Sequence, residues 1–115
     1  GFILGILGAI QETHKDQIRS NRESGHGRFD ISLMPHDPEK DFAIIMELKR
    51  LDGTSNGDKT EDQIKTTLKK TASDGLAQIK AKGYDTELRS QGARNIAHIA
   101  LAFMGKHMAY HYEKL

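Results

Sequence analysis

The run Phe42-Ala43-Ile44-Ile45-Met46, closed by Glu47-Leu48-Lys49, constrains this chain more than any other segment. It is too short for a buried helix and shows no polar alternation, so residues 41–50 read as a central strand covered on both faces. Such a strand needs neighbours, and the flanking sequence supplies them. Upstream, Phe29, Ile31 and Leu33 alternate with Arg28, Asp30 and Ser32, the period-two pattern of a half-buried strand. Asp16 to Glu23 reads as a modest polar strand, Ser24-Gly25-His26-Gly27 as a tight turn, and Pro35 to Lys40 as a second turn. Together these make an antiparallel meander of three strands.

Leu51 to Lys59, rich in Gly, Ser, Asn and Asp, reads as a loop. Thr60 with Gln63 forms a capping-box pattern. From there Ile64, Leu68, Ala72, Leu76 and Ile79 mark an amphipathic helix ending near Gly83. Tyr84 to Ser90 reads as a short second helix closed by Gly92. Asn95 to Met104 alternates as a strand, and Gly105-Lys106 turns it into a last strand, His107 to Tyr112. At the start, Phe2, Ile3, Ile6, Leu7 and Ile10 recur at helical spacing. That stretch is about half the roughly 20 apolar residues of a membrane span, so it reads as a buried helix. The chain is expected to begin inside this helix, as a fragment of a longer polypeptide. The order of elements predicts one α/β domain over residues 1–115, an α+β sandwich around a mixed sheet.

Composition narrows the chemistry. With no cysteine, the chain has no disulfide scaffold, thiolate zinc site, iron–sulfur cluster or cysteine nucleophile. His98, His107 and His111 fall short of the four ligands that a closed zinc site uses. Seventeen basic against sixteen acidic residues exclude a partner held by bulk positive charge. Any nucleic-acid contact must therefore be local.

One constellation meets that requirement. Asp30 lies on the polar side of its strand, and Glu47 and Lys49 share a face of the next strand, 17 and 19 positions on. A hairpin brings Asp30 beside Glu47, and two converging carboxylates repel unless a cation lies between them. Oxygen donors of this kind suit Mg²⁺, which takes one or two protein carboxylates and keeps several waters. A lysine two residues on can hold an attacking water or neutralise charge developing on a phosphoryl group. These are the parts that metal-assisted phosphodiester hydrolysis needs.

The same residues resemble the PD-(D/E)XK nuclease superfamily, in the pattern Asp30…Glu47-x-Lys49. The string Ser20-Asn21-Arg22-Glu23-Ser24-Gly25-His26-Gly27-Arg28-Phe29-Asp30-Ile31 is similar to one branch of it, the nuclease domain found C-terminal to AAA-ATPase-like modules in bacterial proteins. Ala77-Gln78-Ile79 through Lys82 and Tyr84, and the segment Ile99 to Lys106, add to the resemblance, which runs from about Phe2 to Tyr112. Phe29 stands where the motif's proline would be.

The resemblance implies a restriction-endonuclease-like αβββαβ core and cleavage of a nucleic-acid backbone with Mg²⁺ or Mn²⁺. It implies Asp30 and Glu47 as metal ligands with the Leu48 carbonyl as a third, Lys49 as the catalytic lysine and Gln78 as an auxiliary residue. Tyr84 matches an aromatic of the branch. It also implies DNA as substrate with RNA as the variant, a bacterial cytoplasmic setting or delivery as an effector or toxin, and a parent protein carrying an AAA-ATPase-like module. The alternative is a weakly active or inactive nuclease fold serving as an interaction module; the apolar start would also suit a homodimer.

Arg19, Arg22 and Arg28 flank the glycine turn as candidate phosphate contacts. From Lys59 to Lys82 six lysines stand against three acids, read chiefly as a solvated helix face.

Overall fold

The computed structural model describes residues 18–21, 28–51 and 60–115. The expected first helix, the Ser24–Gly27 turn and residues 52–59 of the expected loop lie outside these. The chain forms a five-stranded sheet in which spatial order follows sequence order. Its strands are β1 (Ile18–Asn21), β2 (Arg28–Leu33), β3 (Ala43–Leu51), β4 (Ile96–Met104) and β5 (His107–Lys114). All neighbours are antiparallel except β3 and β4, which run parallel. Parallel neighbours need a crossover. Helices α1 (Glu61–Lys82) and α2 (Tyr84–Ser90) fill it.

The two parallel strands are the most buried, as the apolar run requires. Ala43, Ile45 and Ile96 pack with Ile79, Leu88 and Ala93 on the helix side. Ile44, Met46, Ile99 and Leu101 pack with Leu33 on the far side. A third cluster joins Leu68 and Ala72 of α1 to Ala102 and Met104 of β4. Of the predicted α1 stripe, Leu68, Ala72 and Ile79 are buried and Ile64 and Leu76 half-buried, while Gly75 is buried as well. A glycine takes the contact position because the sheet there comes too close for a larger side chain.

The ends of α1 follow local chemistry. The Gln63 amide donates to Thr60 Oγ1 at 3.2 Å, and the Thr60 amide donates to Gln63 Oε1 at 3.0 Å. This reciprocal pair satisfies donors that the first helical turn leaves open. Gly83 stops the helix with φ +69°, a left-handed conformation that costs glycine little. Two strands run past their expected ends. Leu51 extends β3 by pairing with Met104, and Glu113 and Lys114 extend β5 by pairing with His98 and Ala97. Of the first strand, residues 18–21 are described, paired with Leu33 through Asp30. Among the described residues no helix is long and apolar enough to cross a membrane.

Replacing Thr60 by Ala removes one half of the capping box, and should lower unfolding stability by about 1 kcal/mol. Urea denaturation followed by circular dichroism measures the loss, and an unchanged midpoint would show that the cap contributes nothing.

Candidate active site

The β2–β3 register sets Asp30 directly opposite Glu47, so both side chains leave the same face of the sheet. Glu47 also pairs with Ala100 of β4. Asp30 is 4% exposed and Glu47 2%. Burial and mutual repulsion both disfavour two ionised carboxylates side by side, so the site demands positive charge.

Part of that charge comes from α1. Lys82 Nζ lies 2.8 Å from Asp30 Oδ2, with the lysine side chain 22% exposed. Its ammonium also sits 6.0 Å from the centroid of the Tyr84 ring, in cation–π range. Gly75, Gln78 and Lys82 follow each other at i+3 and i+4 on one helical face, from which Gly75 and Lys82 meet the carboxylates. A Cβ built on Gly75 would stand 3.2 Å from Ala100 Cβ and 3.7 Å from Glu47 Oε1, so α1 rests its backbone on the Glu47 carboxylate. Gln78 is half-buried, and its buried Oε1 accepts no hydrogen bond among the described residues. Lys49 follows Glu47 on the same face of β3 and is half-buried. Leu48 turns its side chain to the far-side cluster, which leaves its backbone carbonyl as its one group for a metal.

Asp30, Glu47, Lys49 and Gln78 thus belong to one face between β2, β3 and α1. Arg28 pairs in register with Lys49, Arg19 with Ser32, and Arg22 lies outside the described residues. Tyr84 opens α2, packed beside Ile79 and Leu88 and facing Lys82. Lys82 and Gly75 are the site residues that the sequence reading missed. Of the α1 lysines, Lys65, Lys69, Lys70 and Lys80 are exposed, as a solvated face requires, and Lys82 is half-buried. Lys70 pairs with Asp74 at 3.0 Å and Lys80 with Glu113 at 2.6 Å, while Lys82 reaches the buried carboxylate.

Among the described residues no three His, Asp or Glu side chains converge. The donor set is therefore two carboxylates, both hard oxygen donors. The number and chemistry fit Mg²⁺ or Mn²⁺. Asp30 Oδ1 and Glu47 Oε2 are buried and accept no hydrogen bond among the described residues.

A second buried polar pair lies on the same side of the sheet. His98 of β4 is 1% exposed, and its Nε2 donates to Asp85 Oδ1 of α2 across 2.6 Å. This bond fastens the short helix to the central sheet.

A family model of the PD-(D/E)XK nuclease superfamily matches residues 1–113. No curated protein and no solved structure matches the chain.

Two substitutions test the packing around the site. Gly75→Val should clash with Ala100 and Glu47 and cost about 1–3 kcal/mol of unfolding free energy. A urea midpoint equal to that of the unaltered chain would refute the close approach of α1. Asp85→Ala should cost about 1–3 kcal/mol by leaving the His98 ring buried without its acceptor. Thermal unfolding at constant pH measures it, and no change in Tm would show that the pair does not hold α2.

Proposed function

Because the chain belongs to the PD-(D/E)XK nuclease superfamily, we propose that it hydrolyses DNA phosphodiester bonds with Mg²⁺ or Mn²⁺ at the Asp30–Glu47 pair. The observation that carries this reading is the register: it holds two buried carboxylates opposite each other with a lysine two residues on. Asp30 and Glu47 would hold the ion, with the Leu48 carbonyl as a third donor. The bound cation would polarise a phosphoryl oxygen and lower the pKa of a water ligand.

The chain's own groups do the rest. Lys49, on the face of Glu47, holds the attacking water by hydrogen bonding and offsets negative charge that grows on the phosphoryl oxygens. Gln78 reaches from α1 to orient Lys49 or a phosphate oxygen through its amide. Both are mounted on packed elements, β3 and α1, which keeps their geometry fixed as charge develops. Arg19, Arg22 and Arg28 would contact the flanking phosphates, because guanidinium forks match phosphate oxygens. Tyr84 completes the nucleic-acid-facing set beside Lys82. The reading covers one domain, residues 1–115, of a larger bacterial cytoplasmic protein.

Asp30→Asn and Lys49→Ala should each reduce metal-dependent nicking of supercoiled plasmid by at least about a hundredfold. Chelation by EDTA should abolish cleavage, and circular dichroism should show both variants folded. Cleavage by either variant at the rate of the unaltered chain would refute the assignment. Parallel assays on linear, single-stranded and RNA substrates identify the substrate class; cleavage of RNA alone would overturn the choice of DNA.

A further inference from the structure

We propose that Lys82 is a built-in counter-cation of the metal site, occupying Asp30 until a divalent ion takes that carboxylate. The inference rests on the metal-binding reading of Asp30 and Glu47 and goes beyond it by assigning a role to a residue of another element.

Three observations carry it. First, the ammonium contacts a carboxylate oxygen that a metal would use: Lys82 Nζ is 2.8 Å from Asp30 Oδ2. Second, the carboxylates are buried deeply enough for local charge to govern their behaviour. Asp30 and Glu47 bring two negative charges into a site almost closed to solvent, where attraction and repulsion are weakly screened. Of those two charges, that of Asp30 is the one the Lys82 ammonium contacts directly. A divalent ion offsets both, so a dipositive ion entering the site gains more from the pair than the lysine does. It must also overcome repulsion from the ammonium already there. Third, the lysine has somewhere to go. Its side chain is 22% exposed, against 5% for that of Asp30, so its head lies toward the solvent side of the pair. The Tyr84 ring, 6.0 Å from Nζ, offers a π-face that can hold the ammonium after it leaves the carboxylate.

The covalent geometry suits this exchange. Lys82 ends α1, just before Gly83 leaves helical geometry, so its four-carbon stem extends over the site while the helix stays packed. Metal binding then needs only side-chain rotation, with no movement of β2, β3 or the body of α1. In the metal-free protein the ammonium compensates the Asp30 carboxylate. On exchange it stays beside the pair, against the Tyr84 ring. Lys82 therefore opposes metal binding and protects the empty site at once.

Isothermal titration with Mn²⁺ tests the exchange without reference to cleavage. Lys82→Met and Lys82→Gln remove the charge and should bind Mn²⁺ about tenfold more tightly than the unaltered chain, within the usual range of coupling between two ligands. Lys82→Arg keeps the charge and should bind as the unaltered chain does. Gln keeps a donor to Asp30, so it serves if Met impairs folding, which thermal unfolding in EDTA reports. A merely structural lysine would leave Mn²⁺ affinity unchanged or weaken it, and either result in both charge-removing variants overturns the proposal. Asp30→Asn separates the two readings. If it abolishes Mn²⁺ binding while neither Lys82→Met nor Lys82→Gln tightens it, the role of Lys82 falls and the metal site stands. If neither the unaltered chain nor any Lys82 variant binds Mn²⁺, both fall.

Discussion

Burial of two like charges at one register position is the constraint around which this domain is organised. Asp30 and Glu47 face each other across the β2–β3 ladder, close to inaccessible to water. Such a pair persists only if the surrounding structure holds it and a cation compensates it. The holding is done by the two most buried strands. β3 carries Glu47 between the apolar clusters on either face of the sheet, and β4 supplies its parallel neighbour. A carboxylate at the edge of a sheet would be solvated and weak in its effects; in this central strand its charge is little screened. The core thus sets the electrostatics of the site as well as the stability of the fold.

Helix α1 links those two roles. Its capped N-terminal half packs Leu68 and Ala72 over Ala102 and Met104. Its C-terminal half lays Gly75 on Glu47, sets Gln78 on the same face and brings Lys82 to Asp30. A glycine in a helix interior costs about 1 kcal/mol relative to alanine through lost helix propensity. Here that cost is offset by an approach that a Cβ would obstruct, 3.2 Å from Ala100. The helix that crosses from β3 to β4 therefore also forms the roof of the site. Displacing it would disturb packing, the Glu47 contact and the Asp30 ion pair together.

Much of this was legible in the sequence, for identifiable reasons. Period two marked β2 and placed Asp30 on the face opposite Phe29, Ile31 and Leu33. The unbroken run from Phe42 to Met46 marked β3 as central, and a hairpin between the two was enough to pair Asp30 with Glu47. Thr60 with Gln63 announced the start of α1, and Gly83 its end, because both signals act through local backbone chemistry. Contacts between distant segments were not legible. Lys82 lies in a lysine-rich helix, and spacing alone cannot tell a solvated lysine from one reaching a buried acid 52 residues away. Gly75 carries no apolar signal, so apolar spacing points to Leu76 instead. The His98–Asp85 bond joins a strand to a separate helix and left no periodic trace.

The near-neutral total charge takes on a structural meaning from these contacts. It does not reflect an even mixture over the surface. Exposed pairs such as Lys70–Asp74 and Arg94–Glu39 are solvated and contribute little. The pair that matters joins Lys82 to Asp30, where a lysine only partly open to solvent meets an acid almost closed to it. One further acid, Glu47, shares that site, with Lys49 two residues on along the same face of β3. A formal net charge of +1 therefore coexists with a buried concentration of negative charge. Bulk charge governs solubility and long-range attraction. The local field at the Asp30–Glu47 pair depends instead on side chains brought together by β2, β3 and the last turn of α1.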